Sequence, residues 1–330
     1  LEKPITRDFF FNKEQTMTPS FTPARFIRCL LFLSLLLLTA CAGVRYNLYD
    51  MAIDREHRKA GLTQKTLDVN GKSISILESE RDPAKPTLVL IHGFAANKEN
   101  WVRFSRYLTD AFHVVAMDLP GHGESVKALI LPYGLDDQAG YVHEILTKLN
   151  INTFHLAGNS MSGAISCLYA ARYPEKVQSL FLIDPAGIYQ YDSELVHRLK
   201  KGEKPLIVTS RNGFDALMDF ALEEKPYIPW PVAGVMAEKA VANRPVNEKI
   251  FSQITAPHQS DFEADLGKIT APTLILWGEN DRIIHVDNAS VFQKRIPHSR
   301  KMVMEGIGHA AMIEVPEQTA QIYADFILSL

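Results

Sequence analysis

Cysteine is scarce in this 330-residue sequence: Cys29, Cys41 and Cys167 are its three thiols, too few and too scattered for a disulfide framework or a cysteine-based metal cluster. A dense basic run is also missing. With 35 Lys+Arg against 38 Asp+Glu and a formal net charge of −3, the chain offers no clustered cations for a phosphate backbone, which excludes the usual DNA and RNA binders. No internal repeat is visible, and one apolar run apart there is no low-complexity segment. What is present is a composition of 46% apolar and 22% charged residues. Such a chain is neither disordered, collagenous nor a coiled coil, and its length suits one or two domains.

The one compositional anomaly lies near the N-terminus. Residues 29–40 read CLLFLSLLLLTA, preceded by Arg25 and Arg28, with no acidic residue between Met17 and Cys41. A run of that length falls short of the roughly 20 residues a membrane-spanning helix needs but suits the core of a secretory signal. It ends Leu38-Thr39-Ala40-Cys41, which resembles the lipobox of bacterial lipoproteins. That resemblance implies a signal peptide over residues 1–40 and a mature chain beginning at a lipid-bearing Cys41; residues 1–16 would make an unusually long leader with acidic residues in it, so Met17 is the expected true start of translation. Residues 41–66 then form a lipid-anchored N-terminal segment of an exported, membrane-attached protein. Ala42 is not the Asp that holds many Gram-negative lipoproteins in the inner membrane, which favours the outer membrane.

Beyond a charged stretch, Asp54 to Lys65, residues 67–76 alternate apolar and polar around Asn70-Gly71. That pattern predicts a β-hairpin with a primed turn, whose positive φ values Asn and Gly accept. Short apolar runs of the buried-strand kind follow at Thr87–Ile91, Phe112–Met117, Phe154–Ala157, Leu180–Ile183, Thr273–Trp277 and Lys301–Met304. Amphipathic stretches separate most of them, at Glu99–Leu108, Asp136–Leu149, Met161–Arg172, Val286–Arg295 and Glu317–Leu330. Strands alternating with helices predict an α/β fold with a mostly parallel sheet covered on both faces. Between Ile183 and Thr273 the rhythm lapses into helical stretches at Ser193–Lys201, Phe214–Glu224 and Val232–Ala242. A structureless loop of that length is improbable in a compact domain, so an inserted helical subdomain is expected.

The sharpest motif is Gly158-Asn159-Ser160-Met161-Ser162-Gly163, where a buried strand turns into a helix. A serine hydroxyl becomes a useful nucleophile when it is exposed, close to a base and beside donors for the developing oxyanion. A strained strand-to-helix turn exposes Ser160 and sets the amide of Met161 at a helix N-terminus, where backbone donors favour negative charge. Ser162 stands where the G-x-S-x-G pattern has glycine; being small and followed by Gly163, it should leave the turn intact with slight crowding. Taken alone, the motif could be a small-residue helix start. Its company decides otherwise. The strand Thr87–Ile91 runs into His92-Gly93-Phe94, Asp281 follows Trp277-Gly278-Glu279-Asn280, and His309 follows Glu305-Gly306-Ile307-Gly308. Serine, aspartate and histidine in that order, each just past a strand, is the order of α/β-hydrolase triads.

From about residue 67 to its end the chain resembles an α/β-hydrolase. His92–Trp101, Gly158–Met161 and Asp184-Pro185-Ala186-Gly187 are most similar to small bacterial lipases of the Moraxella and Psychrobacter type and to ABHD-type monoacylglycerol lipases. The resemblance implies a core of residues 67–187 and 266–330 with a helical cap at 188–265. It also implies a serine hydrolase that cleaves carboxylic esters, a lipophilic ester or acylglycerol, with no metal or organic cofactor. Ser160 is then the nucleophile, His309 the general base and acid, and Asp281 the carboxylate that orients it. Phe94 and Met161 would supply the oxyanion-hole amides. Asp184, just past another strand, is the alternative acid, because some lipases place theirs there.

His122, His155 and His285 are read as surface or turn histidines, since none follows the final strand, and His92 as shaping its loop. Cys167 reads as a buried core residue. Phe214, Tyr227 and Trp230 could line an acyl pocket or simply pack the cap. The same-fold rival is a C–C bond hydrolase of ring-cleavage pathways, with the same Gly-Asn-Ser-Met turn, against which export argues. Haloalkane dehalogenases and epoxide hydrolases carry Asp where this chain has Ser160. A non-catalytic membrane-anchored binding protein would have no need of an intact triad and both oxyanion elements. For the anchor, Cys41→Ser is expected to abolish partitioning of the protein into the membrane fraction, and an unchanged membrane fraction would refute lipidation.

Overall fold

The computed structural model describes residues 43–256 and 261–330. Met17, Cys29, Cys41 and the signal expected over residues 1–40 lie outside the described residues. The chain divides into two compact units, Leu1–Asn47 and Leu48–Leu330. In the first, the described residues 43–47 are helical. The second begins with a helix, α1 (residues 48–59), and carries an eight-stranded sheet. No described helix is long and apolar enough to cross a membrane.

The strands are β1 (Leu62–Val69), β2 (Lys72–Ser79), β3 (Thr87–Ile91), β4 (His113–Met117), β5 (Phe154–Asn159), β6 (Val177–Ile183), β7 (Thr273–Gly278) and β8 (Ser299–Met304). Their order across the sheet is β1-β2-β4-β3-β5-β6-β7-β8. The hairpin expected around Asn70-Gly71 is present, longer at both ends, with φ of 52° and 75° at the two turn residues. β2 pairs antiparallel with β4, and every pair from β4 to β8 is parallel.

Side chains on the central strands alternate between two cores because successive residues of a strand point to opposite faces. Val89, Ile91, Val115, Leu156, Leu182, Ile275 and Trp277 enter one core with α3 (Leu135–Lys148), α4 (Met161–Arg172) and α10 (Asn288–Arg295). Leu88, Leu90, Val114, Ala157, Phe181 and Leu276 enter the other with α2 (Val102–Ser105) and α12 (Pro316–Leu328). Cys167 is buried in the first core, as its sequence position suggests.

Three expectations differ. The run at Lys301–Met304 is not a buried strand: β8 ends the sheet, and Arg300 to Val303 are exposed. Two cations there suit an edge that must not pair with another chain. The charged stretch from Asp54 is the C-terminal part of α1, whose Tyr49, Ala52 and Ile53 pack on Val232 and Val235. Between β6 and β7 lie α5 (Glu194–Lys200), α6 (Arg211–Ala221), α7 (Val232–Ala242), α8 (Arg244–Ile254) and α9 (Phe262–Leu266), with no strand among the described residues. α8 has no counterpart among the helical stretches expected from the sequence; Pro245 lies in its first turn, where proline starts a helix readily.

The loop after β3 is held from beneath by a buried ion pair. Asp118, fully buried past β4, accepts from the Lys98 amide at 2.7 Å, the Lys98 ammonium at 2.9 Å and the Glu124 amide at 2.9 Å. Burial alone would lower the Lys98 pKa, but the facing carboxylates of Asp118 and Glu99 outweigh it and raise the pKa. Glu99 is tied in turn to His57 of α1 at 2.6 Å. Lys98→Met strands a buried carboxylate and is expected to cost about 3–5 kcal/mol, measured from the shift in urea unfolding. A loss of ~1 kcal/mol or less, the range of exposed pairs, would show that the loop does not depend on this pair.

Candidate active site

β5 delivers Ser160 to the sheet's C-terminal edge. The turn into α4 gives Ser160 φ 55° and ψ −122°, a conformation an L residue adopts only under constraint. The constraint is steric. A Cβ on Gly158 would fall 2.2 Å from the Ser162 carbonyl oxygen, and one on Gly163 would fall 2.6 Å from Pro185 Cβ. Strand, helix and the loop after β6 therefore touch through glycine backbone. The Ser160 N–H donates to Ile183 O at 3.0 Å, and the Ser160 carbonyl accepts from Ala186 N at 2.9 Å.

Ser162 does more than tolerate its position. It is fully buried, and its hydroxyl donates to the carbonyl of His92 in the loop after β3. Crowding was expected here; the departure from glycine instead supplies a tie between the two loops that carry Phe94 and Met161. Met161 opens α4, so its amide has no intrahelical acceptor. Gly93 presses on the serine turn, with 3.2 Å from an ideal Cβ to Ser160 Cβ. Phe94 follows at once, its ring 5.5 Å from that of Phe251 on α8. Phe251 escapes the sequence reading together with its helix.

His309 lies on the loop after β8. Its backbone carbonyl accepts from Asn159 Nδ2 at 3.0 Å, the same amide that donates to Ile183 O at 3.1 Å, so the residue before Ser160 holds the histidine loop. Asp281, on the loop after β7, places Oδ2 2.8 Å from His309 Nδ1. Its Oδ1 accepts from the amides of Ile283 and Ile284 at 2.8 and 3.0 Å. Its bond to Nδ1 assigns the ring proton there and leaves His309 Nε2 with its lone pair.

Asp184 is also near, with ligand atoms of Asp184, Asp281 and His309 within 4.8 Å of one another. Its one bond is from Gly278 N, at 2.8 Å to Oδ1. Burial, and then the Asp281 charge, push its pKa well above the usual carboxylate range. Asp184 is therefore a buried neighbour held by a single donor, while the hydrogen bond to Nδ1 belongs to Asp281. These three residues are the grouping among the described residues with metal-ligand character, but Asp281 and His309 Nδ1 are spent on each other.

Of the histidines expected at the surface or in turns, His155 is in a strand and buried, and His122 lies in the turn after β4 but is also buried. His155 sits on β5 and bonds Ser179 Oγ at 2.8 Å. His122 is 2% exposed, packed against His92 and Phe94. Burial, with His92 beside it, drives its pKa well below the ordinary histidine range. His285 does lie in a turn, half-buried, its ring stacked on Tyr191. His92 shapes its loop as expected: Nδ1 donates to Gly93 O at 2.7 Å, and Nε2 accepts from Leu119 N at 3.1 Å. Tyr227 and Trp230 are 83% and 68% exposed, while Phe214 packs with Val208 and Ala237.

A profile for the α/β hydrolase fold matches residues 86–226 and 235–316. Lipase 1 of Psychrobacter immobilis is 33% identical over 285 residues, covering 85% of this chain and 89% of that protein. Monoacylglycerol lipase ABHD6 of Bos taurus is 30% identical over 257 residues, covering 74% and 76%. Among solved structures, one described as a membrane phospholipase A, a novel bacterial virulence factor, aligns with TM-score 0.85 and 41% identity over 92% of this chain and 98% of that one.

The serine turn generates a graded prediction. Gly158→Ala forces Cβ into backbone and is expected to cost more than the ~1–3 kcal/mol of ordinary overpacking. Ser162→Ala leaves one buried carbonyl unpaired, at about 1–3 kcal/mol. Thermal unfolding of the two variants should rank them in that order, and the reverse ranking would contradict the close-approach account.

Proposed function

This chain belongs to the α/β-hydrolase family and is a lipase- or esterase-like hydrolase, and on that premise we propose that it cleaves lipophilic carboxylic esters, acylglycerols above all, through an acyl-enzyme on Ser160. The observation that carries the reading is the 2.8 Å bond from His309 Nδ1 to Asp281 on a loop pinned by Asn159, the residue before the strained serine.

In this mechanism His309 Nε2 takes the hydroxyl proton as Ser160 Oγ attacks the ester carbonyl carbon. The oxyanion that develops is received by the amides of Phe94 and Met161, preorganised on two loops that the Ser162 bond ties together. Collapse of the tetrahedral intermediate breaks the ester C–O bond, and His309 returns its proton to the departing alcohol. Water, deprotonated by His309, then attacks the acyl-enzyme and releases the acid. Asp281 stabilises the imidazolium and keeps the ring proton on Nδ1.

Residues 188–265 act as the cap over the strand ends, excluding water and shaping the acyl site. Phe251 against Phe94 supports this placement, because it puts an insert side chain beside an oxyanion residue. Lipid attachment at Cys41, with export and an outer-membrane location, belongs to the same proposal. It would bring the enzyme to the interface where lipophilic esters reside. The related lipases and the membrane phospholipase A support an ester substrate of that kind.

The test is hydrolysis of p-nitrophenyl esters of increasing chain length, with monoacylglycerol and triacylglycerol alongside. Wild type should turn these over, and Ser160→Ala should lose on the order of 10⁶ in kcat. Equal, slow hydrolysis by both proteins would end the serine-esterase reading.

A further inference from the structure

The exit of α6 is stitched to the catalytic loops by one carboxylate. Glu314 closes α11 (Ala311–Glu314), five residues beyond His309. Its Oε2 accepts from the amides of Glu223 and Glu224 at 2.9 Å each, where the chain leaves α6. The same carboxylate accepts from Gly308 N at 3.1 Å and Ala310 N at 3.3 Å, the residues on either side of His309. His309 itself donates its backbone N–H to Ala221 O, the last residue of α6, at 2.8 Å. Packing is tight enough to require glycine at 308, where a Cβ would lie 2.8 Å from Ala221 O and 3.0 Å from Glu223 N. On the other side, Arg282, next to Asp281, reaches Glu223 at 2.8 Å and Asp219 O at 2.8 Å. Both residues of the Asp281–His309 pair thus have a direct tie, through themselves or a chain neighbour, to the same end of one inserted helix.

We propose that Glu314 is a positioning residue for His309, clamping the histidine loop onto the exit of α6 so that the inserted helices form part of the catalytic apparatus as well as its cover. The proposal rests on the serine-hydrolase reading above. Its chemistry is donor arithmetic. Four backbone N–H groups from two segments converge on one side chain, and only a carboxylate presents two oxygens and no hydrogen to receive them. Glutamine would turn an NH₂ group toward the same donors. Aspartate keeps both oxygens but is one methylene short of bridging the segments. Because the loop it holds carries the base, its loss acts where alignment matters most, in the transition state. A displacement of about 1 Å there can cost on the order of 10²-fold in rate.

The experiment compares wild type with Glu314→Asp, Glu314→Gln and Glu314→Ala in the full chain. Active sites are counted by the acylation burst, and the rate of Ser160 labelling by a fluorophosphonate probe is measured in parallel. The expected result is a fall in kcat per active site of at least about tenfold for Ala and Gln, less for Asp, with KM within about twofold and labelling slowed in the same order. Unchanged kcat and labelling per active site, or a rise in KM alone, would overturn the proposal and leave Glu314 a structural or binding residue. If the alanine variant does not fold, the Asp and Gln variants carry the same comparison, and Gln matching wild type would equally overturn it. Failure of the probe to label wild type would instead strike the serine reading on which the proposal rests.

Discussion

Everything at this site depends on how closely β5 and α4 approach each other. Where a strand runs straight into a helix with backbone in contact, the residue at the turn has no ordinary conformation open to it, and Ser160 is held at positive φ. Gly158 and Gly163 are the cost of that contact, since a methyl group on either would meet backbone or Pro185 below normal contact distance. The geometry lifts the serine hydroxyl off the sheet and leaves the Met161 amide without a helical partner. The lifted Ser160 hydroxyl and the free Met161 amide are therefore two results of one steric fact.

That turn also organises its surroundings. Its residues bond to three other loops: Asn159 to the His309 carbonyl, Ser160 to the segment after β6, and Ser162 to the His92 carbonyl. The loop after β3 is braced again from below, through Lys98, by Asp118 at the end of the neighbouring parallel strand. Parallel strands explain why so many functional segments meet: each ends at the same edge, so the loops that follow β3, β4, β5, β6 and β7 converge without long excursions. The buried polar groups in this region are largely paired with each other, which rigidifies the site before substrate arrives.

Much of this is legible in residue order. The short apolar runs that become β3 through β7, the glycines of the serine turn, and the succession of Ser160, Asp281 and His309 past strand ends are local signals, and the runs appear as strands within three residues of their expected bounds. What escaped was set by partners distant in sequence. β8 reads as apolar, yet its exposure follows from being last in the sheet. His122 and His155 read as polar, yet one is enclosed by the loop after β3 and the other by β6. Asp281 is preferred to Asp184 on sequence, and the structure adds a physical difference between them, three donors on the first and a single donor on the second. α8, which starts with Pro245 in its first turn, has no counterpart among the helical stretches read from the sequence.

The relation of the insert to the catalytic loops is the least visible of these features from sequence, because it is made almost wholly of backbone. Amides of Glu223, Glu224, Gly308 and Ala310 have no side-chain signature, and the one side chain that gathers them, Glu314, sits in a short acidic-ended helix that looks unremarkable. An insert attached only by its two chain connections could drift relative to the sheet without disturbing Asp281 or His309. This one cannot, at the end of α6, since the His309 amide itself donates to Ala221. α8 approaches from another direction, setting Phe251 on Phe94. His309 and Phe94 are thus each in contact with a different inserted helix, so a displacement of either helix would alter the placement of one of these two residues.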